Sequence, residues 1–246
     1  MKQKKARGIF RAFCLGETNL RVIVPLVFGI VGCAVLVTLG SWQLERLAWK
    51  TALLDEIEAR IGAEPVALPA VFDVEADRFL PVAVSGRTLG EELVALTSVQ
   101  GVGPGYRVIS AFETDGGRRI MVDEGFVPSD ARDVARPGVE MAVVGNLHWP
   151  REVDSFTPEP DLDAGLVFAR DVDVMAEALG AEPVLVVARE VSGTDLRATP
   201  LPVTSAGIPN NHLGYAVQWF GLAIVWAGMT AFFLWRMRRG RREEVT

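Results

Sequence analysis

The chain contains only two histidines, and one of them stands where a long uncharged segment begins. His212 follows Pro209–Asn211 and precedes Gly214–Trp235, which is 22 residues long and has no charge and no proline. An imidazole at the edge of a membrane is costly to bury without a partner, so it is a candidate functional group. Because imidazole nitrogen can ligate haem iron, a haem site is the first chemistry to consider.

Helical spacing places aromatic side chains beside this histidine. A helix that begins just before His212 puts Tyr215 and Trp219 on the same stripe, three and seven residues further on. The stripe continues to Leu222 and Trp226. Aromatic faces and an aliphatic side chain are suited to holding a flat macrocycle. One interpretation is therefore a cofactor-binding set around His212, in which its imidazole would ligate haem iron.

A second set of candidates lies at the end of the first apolar segment. Trp42, Arg46 and Trp49 share a helical stripe, and Gln43 and Lys50 adjoin it. The cation of Arg46 or Lys50 could pair with carboxylates of such a cofactor. An aromatic belt explains the same residues without any ligand, because Trp, Tyr and Arg collect at membrane interfaces. Both interpretations stay open on the residues alone.

Two apolar segments are long enough to cross a membrane. The first, Val22–Leu44, has 23 uncharged residues and reaches roughly 34 Å at about 1.5 Å per residue. Basic clusters flank the pair, whereas the stretch between the segments carries 14 Lys plus Arg against 28 Asp plus Glu. Because positive flanks stay cytoplasmic, both termini are expected inside. The predicted division is a basic N-terminus at 1–21, helices at 22–44 and 212–235, an outer domain at 45–205 and a basic tail at 236–246.

The outer stretch has the pattern of a β-rich domain. Tyr106–Thr114 and Arg119–Val127 are predicted to form a hairpin, because the Asp-Gly-Gly between them permits positive φ in a turn. A short helix is expected to begin after Asp171 or Asp173 and to end at Gly180. The predicted fold class is an α+β membrane protein, with two transmembrane helices flanking an extracytoplasmic antiparallel β-barrel or sandwich with one or two short helices. Further strands are predicted at 81–88, 93–99, 140–147, 166–170 and 184–188.

The polar residues of this domain give little indication of catalysis. Asp123 and Glu124 are adjacent and face opposite sides of a strand, so an ionic surface is the expected role. His148 is expected to end a strand rather than to bind a metal, and the acidic Glu152–Asp163 stretch is expected to be a solvated loop. The chain has no phosphate loop, nucleophile elbow or zinc spacing, and its acidic balance argues against nucleic acid. It is therefore expected not to be an enzyme.

Three blocks of the chain resemble the Surfeit locus protein family of haem–copper cytochrome oxidase assembly factors. Leu39–Lys50 is similar to the segment that leaves the family's first helix. Gly125–Pro128 resembles the family's Gly-Trp-Val-Pro element, with Phe126 in place of tryptophan. Pro209–Phe220 resembles the signature that enters the second helix. The order of these blocks and the two helices around an outer domain extend the resemblance over nearly the whole chain.

The resemblance implies a role in oxidase maturation. The chain would bind haem a transiently at the outer membrane face, with His212 as the ligand, and aid its insertion into the oxidase's large catalytic subunit. Haem a synthase is a further candidate partner, and membrane lipid surrounds the helices. The alternative is a cofactor-free membrane scaffold that stabilises an oxidase subunit. In that case four glycines would be positions of close helix packing, namely Gly40, Gly214, Gly221 and Gly228.

The expected location is the bacterial inner membrane, in which the chain is a multi-pass protein. Only 21 residues precede the first apolar segment, which leaves little room for a mitochondrial transit peptide. The mitochondrial inner membrane is therefore the less favoured location. The first apolar run is also longer than the core of a signal peptide, which favours an uncleaved anchor.

Overall fold

A computed structural model describes the backbone of residues 3–195, 197–206 and 208–243. Side chains are described for residues 20, 22–195, 197–206 and 208–239. It divides into two compact units, one formed by Met1–Leu53 with Ile208–Thr246 and the other by Leu54–Gly207. In chain order the elements are α1 (Gln3–Ile61), β1 (Val66–Ala67), β2 (Pro81–Val99), β3 (Gly103–Thr114), β4 (Arg119–Pro128), a 3-10 turn (Ser129–Ala131), β5 (Glu140–Leu147), β6 (Leu166–Val167), α2 (Val172–Leu179), β7 (Leu185–Ser192) and α3 (His212–Glu243).

Helices α1 and α3 are long and apolar enough to cross a membrane, over Val22–Ile61 and His212–Arg239. The predicted pair of apolar helices around a sheet domain is therefore confirmed. Helix α1 extends beyond the apolar segment 22–44 at both ends, from Gln3 to Ile61, and the helical spacing of apolar residues over 44–61 is consistent with its continuation to Ile61. Pro25 lies inside it. A proline is tolerated within an apolar helix where neighbouring groups satisfy the freed carbonyl.

Glycines of α1 bring the two helices into close contact. A Cβ atom added to Gly29 would lie 2.2 Å from Thr230 Cγ2, and one added to Gly32 would lie 2.3 Å from Trp226 Nε1. Neither position can accept a side chain unless the Thr230 or Trp226 side chain, or α3 itself, shifts. Small residues at the interface allow membrane helices to approach closely, and van der Waals packing then holds the pair together.

Only one of the four glycines expected to pack closely lies in this contact. A Cβ atom added to Gly40 would meet the Phe220 ring at 2.8 Å. Gly214, Gly221 and Gly228 have no atom within 4 Å of such a Cβ. The seven-residue spacing of these three glycines therefore marks a face of α3 that does not contact α1.

The sheet of the second unit is closed by its pairing pattern. Strand β2 pairs with β3 and also with β5, β3 pairs with β4, and β7 lies between β4 and β5. The expectation of an antiparallel sheet is wrong in part, because β7 runs parallel to β4, and β1 and β6 run parallel to β2. A parallel pair needs a long crossover, and the segment 129–184, which contains α2, supplies it.

The apolar core fills the space between the strands and α2. Phe112, Ile120 and Leu147 are fully buried there. Helix α2 begins as the sequence predicts, because Asp171 accepts hydrogen bonds from the backbone N–H groups of the first turn. It ends at Gly180, which adopts a left-handed conformation with φ 58°.

Several predicted strands are confirmed, and two of them form a single strand. The hairpin of β3 and β4 and the strand 140–147 lie where the sequence places them. By contrast, the segments 81–88 and 93–99 form the single strand β2. The register of β2 against β3 shifts between Thr88 and Glu92, and Gly90 between them has φ 81°. The glycine therefore marks a bulge within one strand rather than a turn between two.

Asp123 and Glu124 are buried in the sheet unit, so the expectation that they form an ionic surface is wrong. Asp123 Oδ2 accepts from Arg107 Nε at 2.8 Å and from Arg170 Nη1 at 3.1 Å. Asp123 Oδ1 accepts from the backbone N–H of Gly125 at 3.1 Å. A fully buried carboxylate is tolerated here because two guanidinium groups compensate its charge.

Glu124 has a separate set of partners. Ser110 Oγ donates to its Oε1 atom at 2.5 Å, and Arg197 Nε donates to its Oε2 atom at 3.0 Å. The register of β3 against β4 shifts between Val108 and Ile109, opposite the two carboxylates. Alternation along the strand does not predict that both carboxylates are buried, for two reasons. The bulge interrupts the alternation at this point, and the arginines that bind the carboxylates lie elsewhere in the chain.

His148 follows β5, and its ring stacks on Phe79 with the ring centroids 5.5 Å apart. Its Nδ1 atom is buried and has no partner among the described residues. Burial, together with the positive charges of Arg170 and Arg78, lowers the pKa of His148 from 6.5 to about 4. No group of three or more His, Cys, Asp or Glu side chains that could hold a metal occurs in the described part of the chain.

The buried imidazole predicts an acid-sensitive contribution to stability. Below pH 6.5 the unfolded chain protonates His148, whereas the folded chain does so only near pH 4. Stability therefore falls as the pH falls through this window, by up to about 3 kcal/mol from this residue. His148→Phe keeps the ring contact with Phe79 and removes the titration. Chemical denaturation of the full chain between pH 7 and pH 4 should show a shallower loss for the variant, and parallel curves would contradict the assignment.

The glycine contact predicts that a larger side chain lowers stability where α1 packs against α3 and does not lower it on the open face of α3. Gly29→Leu should weaken the helix pair by about 1–3 kcal/mol, because the new side chain meets Thr230. Gly221→Leu is the matched control. It should leave stability unchanged or raise it, since its site is open and glycine is a poor helix former. Helical circular dichroism of the full chain during an SDS titration measures the difference, and equal losses in the two variants would count against this packing.

Candidate functional site in the helix pair

His212 is the first residue of α3. The backbone N–H of Tyr215 donates to the Asn211 carbonyl at 3.3 Å, so Asn211 occupies the N-cap position. The described part of the structure shows no side-chain capping bond from Asn211, and the Oδ1 atom of Asn210 is buried without a partner. The imidazole therefore extends from the first turn of the helix, where the backbone changes from loop to helix.

A glutamine from α1 holds the imidazole in place. His212 Nδ1 lies 2.8 Å from Gln43 Oε1, between residues 169 positions apart in the chain. Both side chains are half-buried. Gln43 follows Gly40 on the α1 face that packs against α3, so the close approach of the helices brings this carboxamide within reach of the ring.

The hydrogen bond decides which imidazole nitrogen is available. A carboxamide oxygen only accepts, so Nδ1 carries the proton when it bonds to Gln43 Oε1. In the neutral ring this leaves the lone pair on Nε2, which makes no hydrogen bond with any other described residue. Ligating histidines in proteins are commonly oriented in this way, by a hydrogen bond from the nitrogen that does not bind the metal. Nε2 of His212 therefore carries an oriented lone pair with no partner among the described residues.

A cation lies two turns further along the same face of α1. Lys50 Nζ donates to the Pro209 carbonyl at 2.5 Å. Gln43, Leu47 and Lys50 are spaced by four and three residues, so they share one helical stripe, and all three are half-buried. The ammonium group and the His212 ring thus border the same short loop before α3.

The other predicted site residues of α1 point elsewhere. Trp42 and Trp49 are 52 % and 53 % exposed, and Arg46 lies over the Trp49 ring at 4.2 Å from its centroid. These three form an exposed stripe of α1 that lies beside the face carrying Gly40 and Gln43. The structure therefore brings Gln43 and Lys50 to the histidine and does not bring Trp42 or Arg46 to it.

The predicted aromatic stripe on α3 is divided by the helix packing. Tyr215 is 51 % exposed and Trp219 is half-buried, both near the histidine end. Trp226 lies deeper, with its ring 5.3 Å from the Phe28 ring and beside Gly32. Trp226 therefore serves the contact between the helices, and only Tyr215 and Trp219 remain near His212.

Gln43 is the residue that sequence reasoning alone does not select. From sequence it is a neighbour of the Trp42 stripe. The signal that identifies it is its spacing from the glycines, because Gly29, Gly40 and Gln43 recur at eleven and three residues on one face. A polar side chain in line with small residues is the pattern by which membrane helices place hydrogen bonds between them.

Comparison with known proteins covers both the helix pair and the sheet. A sequence model of the SURF1 family matches residues 30–224, a range that includes Gln43 and His212. Surfeit locus protein 1 of Xenopus tropicalis is 30 % identical over 209 residues, which are 75 % of this chain and 67 % of that protein. Surfeit locus protein 1 of Homo sapiens is 30 % identical over 75 % of this chain and 69 % of the human protein. The SURF1-like protein of Drosophila melanogaster is 26 % identical over 80 % and 71 %, respectively. By the extent of these matches, the chain belongs to the SURF1 family.

Proposed function

We propose that the chain is an assembly factor for haem–copper cytochrome oxidase that binds haem a and aids its insertion into the large catalytic subunit. Membership of the SURF1 family, whose members are known as oxidase assembly factors, supports the assembly role. The haem part of the proposal rests on one observation, the hydrogen bond between His212 Nδ1 and Gln43 Oε1. It leaves Nε2 oriented and without a partner in the described residues, as iron ligation requires.

The residues around His212 fit haem as cargo. Tyr215 and Trp219 offer aromatic faces near the ligand atom. Lys50 lies on the same α1 face as Gln43, so we assign the propionate contact to Lys50 rather than to Arg46. The proposal assigns no catalytic step to the chain, because binding, orienting and releasing the haem need only these side chains.

The proposed setting is the outer edge of the bacterial inner membrane, with both chain termini in the cytoplasm. The basic residues that flank the two apolar segments support this orientation. The sheet unit would then lie outside the membrane, where the large catalytic subunit and haem a synthase are the proposed partners. Lipid would surround the exposed faces of α1 and α3.

A cofactor-free scaffold is the second candidate, and the open face of α3 favours it. A Cβ atom added to Gly214, Gly221 or Gly228 would meet nothing within 4 Å, and Gln218 between them is exposed. Small residues with one polar side chain could pack against a helix of an oxidase subunit. Haem content separates the candidates, because a scaffold would support oxidase assembly without retaining haem.

Replacing the proposed ligand should remove the haem. We expect full-length protein co-expressed with the enzymes of haem a synthesis to purify with haem a, and His212→Ala to lose most of it, because no other imidazole is available in the helix pair. The absorption spectrum and the pyridine haemochrome assay measure the content. Arg46→Ala is the control and should retain nearly as much haem as the wild type. Equal haem in wild type and His212→Ala would rule out the ligand assignment.

Replacing the orienting glutamine should weaken haem binding without removing the ligand. Gln43→Leu leaves His212 in place but frees the ring and its tautomer, so haem affinity should fall about 10- to 100-fold. Gln218→Leu makes the same change on the exposed face of α3 and should leave affinity unchanged. Titration of haem into apoprotein in detergent gives both affinities. If the two leucine variants bind equally well, Gln43 does not orient the ligand.

A further inference from the structure

An acidic loop in the sheet unit presents an aromatic side chain to solvent. The loop, residues 151–163, connects β5 to β6, and its Phe156 side chain is 90 % exposed. Val153 and Leu162 of the same loop are 57 % and 45 % exposed. Three exposed apolar side chains within one loop, rather than a single one, mark a candidate contact surface.

The backbone around Phe156 is tied into a turn. Asp154 Oδ1 accepts from the Phe156 N–H at 2.8 Å and from Thr157 Oγ1 at 3.1 Å. Thr157 Oγ1 in turn accepts from the Asp154 N–H at 2.9 Å, and the Thr157 N–H donates to the Asp154 carbonyl at 3.2 Å. Four hydrogen bonds within four residues fix the backbone from which the Phe156 side chain extends. Such preorganisation lowers the entropy that binding would otherwise cost.

The start of the loop is anchored to the most deeply buried charge of the sheet. Glu152 accepts from the backbone N–H of Arg170 at 3.0 Å and from its Nε at 3.1 Å. Arg170 also donates to the buried carboxylate of Asp123. The guanidinium therefore links the loop to the interior of β4, and Arg151 forms a further ion pair with Glu75.

The end of the loop is held by the strand that follows. Asp161 and Leu166 exchange two backbone hydrogen bonds of 2.8 Å, and Asp161 Oδ1 accepts from the Ala164 N–H at 3.0 Å. Both ends of the loop are thus fixed, and the turn at Phe156 lies between them. The loop has the properties of a rigid recognition element rather than of a flexible connection.

The charges of the loop indicate the chemistry of its partner. Glu159 and Asp163 are exposed, and their carboxylates make no hydrogen bond or ion pair with other described residues. An aromatic anchor in the same loop as two free carboxylates complements an apolar pocket with Lys or Arg near its rim. An anionic membrane surface would repel the same carboxylates, so lipid is disfavoured as the occupant.

We infer that residues 151–163 form a docking surface, with Phe156 as its anchor, for a basic protein surface bearing an apolar pocket. This inference rests on the proposed function, and it takes that surface to belong to the extramembrane part of the oxidase's large catalytic subunit. The contact would hold the subunit at the sheet unit while haem is carried by the helix pair.

The anchor is tested by co-purification. Full-length tagged protein is co-expressed with the large catalytic subunit, and the retained subunit is quantified after purification in mild detergent. Phe156→Ala should reduce retention about fivefold or more, as expected for an aromatic hot spot. Val71→Ala removes an aliphatic side chain that is 84 % exposed outside the loop, and it should retain the subunit like the wild type.

The charge is tested with a second pair of variants. Glu159→Lys with Asp163→Lys should reduce retention and weaken its dependence on salt, because the new positive charges repel a basic surface. Neither side chain makes a hydrogen bond in the loop, so the loop's hydrogen bonds stay intact. Glu64→Lys with Glu177→Lys reverses two other exposed carboxylates and is the matched control. An unchanged unfolding midpoint of each variant shows that the fold is retained.

The possible outcomes separate the two claims. Retention by wild type and by Phe156→Ala to the same extent overturns the docking surface and leaves the assembly role standing. Failure of the wild type to retain the subunit overturns the assembly role, and the docking claim with it. Binding of wild type, but not Phe156→Ala, to vesicles of phosphatidylcholine and phosphatidylglycerol, with equal subunit retention, would identify a lipid contact and likewise overturn the inference.

Discussion

The hydrogen bond between His212 and Gln43 is the interaction on which the functional geometry depends. It requires α1 and α3 to approach closely enough for the Gln43 and His212 side chains to meet. The glycines of α1 allow this approach because they have no side chain in the contact. A helix pair with larger residues at those positions would leave both side chains without a partner in an apolar setting. Packing and ligand orientation are thus consequences of the same close approach.

The sheet unit uses a different principle, because its interior contains charges as well as apolar side chains. Asp123 binds Arg107 and Arg170, and Glu124 binds Arg197. Removing either partner of such a pair would leave a buried charge without compensation, which destabilises the fold. The pairs therefore favour the one packing arrangement in which every charge has its partner. Arg170 also forms an ion pair with Glu152, so it links the buried Asp123 to the start of the surface loop. The rigidity of the loop therefore originates in the core.

Local patterns in the sequence predict local structure well and tertiary contacts poorly. The β3–β4 hairpin, the strand 140–147 and the caps of α2 follow from turn residues and alternation, and all are found. The sequence predicts two strands, 81–88 and 93–99, where the structure has only β2, because a bulge and a turn both favour glycine, here Gly90. His212 could be selected by its type and position. The rotation of α1 that turns Gln43 inward and Arg46 outward depends on packing, which no single helix pattern specifies.

The position of β7 in the sheet has a consequence for biosynthesis. This strand is the last of the sheet to be made, yet it lies between β4 and β5 and pairs with both. Until it leaves the ribosome, two strand edges stay open, and open edges invite intermolecular pairing. Only 19 residues separate the end of β7 from the start of α3. The unpaired edges of β4 and β5 therefore persist in the nascent chain until α3 is nearly synthesised.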